Sequence, residues 1–320
     1  MNQFNAAPEA AALNTANINA RNLTAMQYFA ALTIGITSIG AAVAAWQLYN
    51  NQVGITEIIL LAVFYFATAI GIEAGFHRYF SHSAFKGTKA ATWLLGILGS
   101  MAGQGPVMFW AATHRKHHAF TDKTGDPHSP LTHGKDFSGR IKGFFHAHIG
   151  WLFAKDQASW IKFAPDLLRN RDVMSINSSY LFWLLAGLIL PALLGGIIQA
   201  SWQGAFNGFI WGGLLRIFLL DHVTWAVNSV CHTIGSQPHK IENNSRNIFL
   251  LCIPSVGGSF HNNHHAHPAS ARNDHQSWMQ LDLSGLFIET LGLFKLASNI
   301  RRYKKTNTDT VINGGSKNEQ

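Results

Sequence analysis

Long charge-free runs of hydrophobic residues dominate the pattern of the chain. No Asp, Glu, Lys or Arg occurs between Arg21 and Glu57 or between Asp172 and Arg216, and residues 58–72 are all apolar or small. A membrane-spanning helix needs about 20 predominantly apolar residues, so the pattern predicts two spans on each side of a more polar central region. The predicted spans are Tyr28–Trp46, Ile55–Phe76, Ser179–Gln199 and Ala205–Leu220.

Short uncharged turns, at Asn50–Gln52 and Ser201–Gly204, join these spans into two hairpins. We therefore expect an all-α integral membrane protein with four transmembrane helices in two hairpins and a cytoplasmic helical cap with interfacial helices. Residues 1–24 and 303–320 are predicted to be disordered tails around a membrane domain of residues 25–302. The N-terminal segment lacks the basic stretch and apolar core of a signal peptide.

The positive charges lie outside the predicted turns. Of the 24 Lys and Arg residues, 13 lie between Arg78 and Arg171 and 9 follow His239. Because positive residues stay on the cytoplasmic side, both termini and the central region are predicted to be cytoplasmic. This basic surface is expected to meet anionic lipid, an acidic electron donor or a phosphorylated substrate carrier, and not nucleic acid.

Nine of the 17 histidines form four short clusters beside the predicted spans. Two of the clusters are triplets with i, i+3, i+4 spacing, which places three rings on one helical face. Neutral imidazole is a common metal ligand, and nine of them suit two ions with four or five ligands each. The other histidines lack this spacing and are interpreted as structural or solvated. The nine are His77, His82, His114, His117, His118, His232, His261, His264 and His265.

The charge-free segment Ala90–Thr113 is also long enough to cross a membrane. A crossing would place the first and second histidine clusters on opposite faces, where they could not share metal ions. Glycines and a proline around Gly103–Pro106 also interrupt its helical pattern. We therefore predict that this segment lies in the interface or enters the membrane and returns.

The types of candidate metal ligand limit the classes of reaction that this site could catalyse. Soluble di-iron bundles use Glu-x-x-His, which does not occur here. A zinc hydrolase needs three protein ligands and a carboxylate base, which nine histidines fit poorly. An all-imidazole set indicates a membrane oxygenase that activates O2, with no catalytic residue beyond the metal centre. Glu73, four residues before His77, is either an outer partner of a ligand ring or a carboxylate at a helix end.

At these residues the chain resembles the membrane-bound fatty acyl Δ9 desaturases, the family of stearoyl-CoA desaturase, in its bacterial type. The resemblance runs from about Ile55 to Arg302. Beside the three histidine boxes it includes the segments Gly125–His128, His148–Trp151 and Thr224–His232. It implies a location in the bacterial inner membrane and an O2-dependent enzyme that introduces a cis double bond, at Δ9, into a C16–C18 acyl chain.

The resemblance also implies roles for individual residues. The nine histidines would bind two iron ions, and Asn228 would reach iron through water. Four residues would surround the bend of the acyl tunnel, and Tyr65 would close its far end, although a plain core aromatic would suit that position equally. The four are Gln104, Trp110, Thr224 and Trp225.

Two departures from the family pattern bear on these expectations. The family's Gly-Glu-Gly before the last box is here Gly257-Gly258-Ser259, so any outer role of that Glu is absent or supplied elsewhere. The Arg-Asp pair that meets the CoA headgroup in animal enzymes is here Ala112-Thr113, which weakens the assignment of acyl-CoA and favours an acyl chain on a membrane lipid. An acyl-carrier-protein substrate stays open.

The sequence contains no His-Pro-Gly-Gly haem motif. Electrons are therefore expected from a separate ferredoxin, rubredoxin or cytochrome b5-like protein. Two rival functions stay open. A membrane di-iron hydroxylase would insert oxygen into the acyl chain or an alkane, and a His-rich transporter would place polar ligands inside its spans.

Overall fold

The computed structural model describes residues 6–274 and 280–303, with side chains from residue 25 onward. In chain order the helices are α1 (Ala6–Tyr49), α2 (Ile55–Ile70), α3 (Lys89–Met101), α4 (Val107–Phe120), α5 (Phe137–His148), α6 (Trp160–Phe163), α7 (Pro165–Leu168), α8 (Arg171–Ser178), α9 (Tyr180–Gln199), α10 (Trp202–Gly208), α11 (Arg216–Ser229), α12 (His261–Ala266) and α13 (Leu283–Leu293). Two π-helical segments, π1 (Gly71–Ser81) and π2 (Phe209–Leu215), continue α2 and α10, and 3-10 turns cover Gly150–Phe153 and Phe249–Leu251. Strands β1 (Lys86–Gly87) and β2 (Ala297–Ser298) pair antiparallel, with Lys86 opposite Ser298.

The all-α membrane fold is confirmed. Four helices are long and apolar enough to cross a membrane: Ala25–Tyr49, Ile55–Ser81, Tyr180–Gln199 and Trp202–Ser229. The fourth extends well beyond the predicted end at Leu220, because π2 and α11 continue it without a break. Helix α1 begins at Ala6, inside the predicted N-terminal tail, and almost all of the predicted C-terminal tail lies outside the described residues. The division into a domain and tails therefore stays a prediction.

The segment between the first two histidine clusters does not form one continuous helix. Helix α3 ends at Met101, and α4 begins at Val107 after a turn in which Gly103 and Gly105 have φ of 87° and 89°. This left-handed backbone region favours glycine. The predicted interruption is thereby confirmed, and α3 and α4 fold back against π1 so that both histidine clusters lie on the same side of the protein.

Close contacts between glycines hold the second hairpin together. A Cβ on Gly208 would lie 2.2 Å from the Pro191 carbonyl oxygen, and one on Gly195 would lie 2.2 Å from the Gly204 carbonyl oxygen. Small residues let membrane helices approach this closely. Inside lipid the hydrophobic effect does not drive helices together, so their association relies on such close van der Waals packing. The α9–α10 hairpin therefore depends on the absence of side chains at these positions.

A buried arginine joins this hairpin to the rest of the protein. Arg216 is completely buried, and its guanidinium donates to the carbonyl oxygens of Met101 (2.6 Å), Gly187 (2.8 Å) and Gly212 (3.1 Å). The Met101 carbonyl at the end of α3 has no partner within its own helix, as is usual for a C-terminus. Arg216 therefore satisfies backbone groups from α3, α9 and π2 together.

A polar network joins the spans at the end farther from the histidines. The Glu57 carboxylate, only 2% exposed, accepts hydrogen bonds from Gln199 (2.8 Å) and Asn207 (3.0 Å). Asn207 in turn accepts from Gln47 at 2.9 Å, and Trp211 donates to Gln47 at 2.8 Å. Buried polar groups stabilise a structure when they are all paired, and this network connects α1, α2, α9 and α10.

Replacing Glu57 by Ala should leave the amides of Gln199 and Asn207 without their acceptor. An unsatisfied buried group costs about 1–3 kcal/mol, so we expect a loss of roughly 2 kcal/mol or more in detergent, read as a lower melting temperature. Glu57→Gln keeps one carbonyl acceptor and should lose less, and Glu242→Ala, at an exposed carboxylate, should lose nothing. Equal melting temperatures for wild type and Glu57→Ala would contradict the role of the network.

Candidate metal centre

The π-helical segment π1 places the first histidine pair. In a π-helix the backbone bonds run from residue i+5 to residue i, and the His82 N–H accordingly donates to the His77 carbonyl oxygen at 3.2 Å. A five-residue spacing therefore brings both rings to one face, where their centroids lie 5.0 Å apart.

Helix α4 carries the second cluster and is fixed to the end of π1 by Arg115. The Arg115 guanidinium donates to the carbonyl oxygens of Phe80 and Ser81, both at 2.8 Å, and forms an ion pair with Asp166. As a result the Nε2 atoms of His82 and His114 lie 2.7 Å apart. The arginine inside the second histidine box thus aligns two elements that each carry part of the site.

Helix α12, only six residues long, is held by asparagines. The side-chain oxygen Oδ1 of Asn247 accepts from the backbone N–H groups of Asn262 (2.9 Å) and Asn263 (3.2 Å). The Asn263 side chain donates to the Asn273 carbonyl at 2.6 Å. These bonds satisfy donors at the helix N-terminus and fix the direction in which His261, the first residue of α12, presents its ring.

The nine predicted histidines converge into two adjoining groups, in each of which the nitrogens lie within 4.8 Å of one another. Two Nε2–Nε2 distances illustrate the spacing, 3.0 Å between His77 and His264 in the first group and 3.0 Å between His232 and His261 in the second. The first group contains His77, His82, His114, His118 and His264, and the second contains His117, His232, His261 and His265.

Three carboxylates orient rings of this cluster. Nδ1 of His77 lies 2.9 Å from Glu73, Nδ1 of His117 lies 2.9 Å from Asp126, and Nδ1 of His232 lies 3.1 Å from Asp122. A carboxylate can only accept, so each ring carries its proton on Nδ1 and turns the lone pair of Nε2 inward. Carboxylate partners of this kind are typical of metal-binding histidines.

Inward-facing lone pairs make the cluster a cation site. The Nε2 of His117 lies 3.3 Å from that of His265, and the Nε2 of His232 lies 3.0 Å from that of His261. Two lone pairs at this distance repel each other unless a cation or a proton lies between them. The residues present therefore fit transition-metal ions that accept imidazole nitrogen.

Burial favours the neutral form of several rings in the cluster. It lowers the pKa of His114 and of His264 well below the ordinary value, and neighbouring histidines lower it further. The pKa of His128, which stacks on His117 at 4.4 Å, falls to about 3 for the same two reasons. Burial alone would raise the pKa of Asp126, but the electrostatic interaction and the hydrogen bond with His117 hold that pKa well below the usual range. The site thus places neutral imidazoles such as His114 and His264 close to an ionised carboxylate.

Two cavities meet the histidine cluster. The larger, about 460 Å³, lies against α1, α4, α9 and α11, and the smaller, about 50 Å³, lies between π1, α11 and the loop before α12. The wall of each is mainly apolar. Trp110, His114, Thr224 and Asn228 line both, so the two cavities meet beside the first group of histidines.

The structure also places the other residues that were singled out from the sequence. Gln104 donates to Thr224 at 2.9 Å, and both line the larger cavity together with Trp225. Tyr65 donates to the Pro254 carbonyl at 2.7 Å, and Pro254 lines the smaller cavity. Glu73, for which two roles were open, contacts His77.

Sequence reasoning missed Asp122 and Asp126 as partners of ligand rings. Asp126 belongs to the Gly125–His128 segment that carried part of the resemblance, and this was the one available signal for it. Asp122 lies 110 positions before His232, and no spacing rule connects residues so far apart. Only the folded chain shows that contact.

Comparison with known proteins identifies the family to which this chain belongs. The fatty acid desaturase family matches residues 54–283. The hex-5-enoyl-[acyl-carrier protein] acetylenase of Moorena producens is 40% identical over 263 residues, 81% of this chain and 82% of that protein. The sn-1 stearoyl-lipid 9-desaturase of Synechocystis is 35% identical, with 72% of this chain and 67% of that protein covered.

A probable acyl-CoA desaturase of Schizosaccharomyces pombe is 32% identical over 258 residues, 78% of this chain and 50% of that protein. The family match covers more than half of the chain and includes all nine histidines. It spans the second to the fourth membrane helix. This chain therefore belongs to the fatty acid desaturase family and is an oxidoreductase with acyl-lipid and acyl-CoA desaturases among its homologues.

Proposed function

We propose that the protein is an O2-dependent fatty acyl desaturase that introduces a cis double bond between C9 and C10 of a saturated C16–C18 chain. The nine histidines hold two iron ions, and Asn228 reaches one of them through water. The active site and both termini face the cytoplasm of a bacterial inner membrane. The observation that carries this proposal is the convergence of nine imidazole nitrogens at the meeting point of two apolar cavities.

Two iron ions bound at the histidines would supply the activation of O2 and the removal of hydrogen from the acyl chain. The protein's own contribution is to hold the acyl chain in the right position beside the metal ions. Trp110 and Thr224 lie where the cavities meet, and the Gln104–Thr224 hydrogen bond fixes the wall there. A chain bent at this point has two methylenes held beside the metal groups, and such positioning is a large part of catalysis.

The acyl carrier is a membrane lipid. Among the described residues that line the larger cavity there is no Lys or Arg, and positions 112 and 113 are Ala and Thr. No cation in that wall is therefore available to neutralise the phosphates of CoA. A separate protein, a ferredoxin, rubredoxin or cytochrome b5-like donor, supplies electrons through the basic cytoplasmic face.

Expression in a host without desaturases tests the function. Mass spectrometry of lipids, acyl-CoA and acyl carrier protein should reveal a new cis alkene on membrane lipids, and the purified protein should contain about two irons. His117→Ala and His264→Ala, one from each group, should each abolish the product while the protein still inserts into membranes. A hydroxylated product would indicate the hydroxylase, an alkyne would indicate an acetylenase, and absence of bound iron would contradict the metal centre.

Asp126→Asn should weaken the second histidine group. The amide can donate to Nδ1 of His117 and thereby favour the tautomer that points a proton at the metal. Loss of such a partner typically lowers metal affinity or activity about 10- to 100-fold. Iron retention during dialysis against a chelator measures this effect. Asp136→Asn, at an exposed residue before α5, is the matched control, and equal retention by both variants would rule out the orienting role.

Tyr65→Ala should shift the preferred chain length upward if Tyr65, whose hydroxyl donates to the carbonyl of Pro254 beside the smaller cavity, closes the far end of the acyl tunnel. Shortening this side chain extends the space for the methyl end by the volume of a phenol ring. The fatty acid profile of the host lipids measures the shift. The neighbouring Phe66, which is 36% exposed, provides the control Phe66→Ala. Identical profiles for the two variants would refute the tunnel-end role.

A further inference from the structure

The loop before the last histidine box lacks the carboxylate that the family pattern has there. Position 258 is Gly and not Glu. Gly258 lines the smaller cavity together with Glu73, His77 and His261. A Glu at position 258 would therefore lie beside the carboxylate of Glu73, which π1 already places in this cavity.

One carboxylate oxygen of Glu73 accepts hydrogen bonds both from the proposed metal ligand His77 and from a buried arginine. Its Oε1 accepts from Nδ1 of His77 at 2.9 Å and from Nε and Nη2 of Arg78 at 3.2 and 3.0 Å. Arg78 is completely buried and also donates to Asp282 at 2.7 Å. Glu73 is therefore fixed between a ligand ring and a charge that cannot move toward water.

The other carboxylate oxygen of Glu73 faces Gly258. A Cβ built on Gly258 would lie 2.9 Å from Oε2 and 3.3 Å from the carboxyl carbon of Glu73. A contact of 2.9 Å is shorter than real Cβ atoms make, so any larger residue at 258 requires Glu73 to move. Conversely, a Glu side chain at 258 would extend from that Cβ into the space that the Glu73 carboxylate fills.

We propose that Glu73 replaces the family's loop carboxylate and that Glu73 and Gly258 form an exchanged pair. One carboxylate orients His77 in the first histidine group, and here it comes from π1 instead of from residue 258. Glu73 is a positioning residue that acts through His77. This inference rests on the proposed metal centre, because the orientation of His77 matters only if its Nε2 binds an ion.

The electrostatics restrict this space to one carboxylate. Arg78 is shared between Glu73 and Asp282, whose two carboxylates already outnumber it. A second Glu in contact with Glu73 would add a buried negative charge without a partner, which is strongly unfavourable. Gly258→Glu alone should therefore be harmful, and it should become tolerable once Glu73 is removed.

The test compares five forms of the full-length protein: wild type, Glu73→Ala, Gly258→Glu, and the double variants Glu73→Ala/Gly258→Glu and Glu73→Ala/Gly258→Ala. Iron per chain is measured before and during dialysis against a chelator, and Mössbauer spectra of 57Fe-enriched protein report each iron separately. Melting temperatures identify variants that lose iron only because they unfold. The Gly258→Ala double variant supplies a Cβ without a carboxylate and is the matched control.

Glu73→Ala should lose one iron about 10- to 100-fold faster than wild type, as for other partners of ligand histidines. The Glu73→Ala/Gly258→Glu variant should recover most of that retention and the wild-type spectrum, and the Glu73→Ala/Gly258→Ala variant should not. Equal retention by the two double variants, or wild-type retention by Glu73→Ala, would overturn the exchange and leave the desaturase proposal intact. A wild-type protein without iron would overturn both.

Discussion

The mutual repulsion of nine imidazole lone pairs is the constraint on which the rest of this structure depends. Rings from π1, α4, the end of α11 and α12 point their Nε2 atoms at one another at about hydrogen-bond distance, for example 2.7 Å between His82 and His114. Such an arrangement is stable only when cations or protons lie between the lone pairs, and only if each element is held in place by neighbouring residues. Arg115, Asn247 and the three carboxylates supply that support. The break between α3 and α4 is equally necessary, because an uninterrupted helix would separate the first two clusters by a membrane.

Much of this was predictable from the sequence. The charge-free runs predicted the four spans to within a few residues, except that the fourth is longer because π2 and α11 extend it. The glycines near Gly103 predicted the break between α3 and α4. The histidine clusters singled out the nine rings that converge, and the two i, i+3, i+4 triplets follow a local rule, but each triplet is divided between the two groups, which the spacing did not predict. The partners of the ligands are not local. Asp122 meets His232, and Asp126 meets His117, through loops whose conformation no periodicity encodes, and the contact between Glu73 and Gly258 joins residues far apart in the chain.

If the nine histidines hold the proposed di-iron centre, the cavity walls beside them determine which bond of the acyl chain can reach it. Trp110 and Thr224 line both cavities, the walls are mainly apolar, and Tyr65 donates to the carbonyl of Pro254, which lines the smaller cavity. The relatives range from acyl-lipid desaturases to an acetylenase.

The distribution of the ligands along the chain has a consequence for biosynthesis. Each histidine group needs residues from α12, which begins at His261. Neither group can be complete until the ribosome has passed all four spans and synthesised this helix. If these groups hold metal ions, metal insertion must therefore follow the synthesis of all four membrane helices, and the folded bundle has to remain open long enough to admit the ions. A truncation before His261 would leave both histidine groups incomplete.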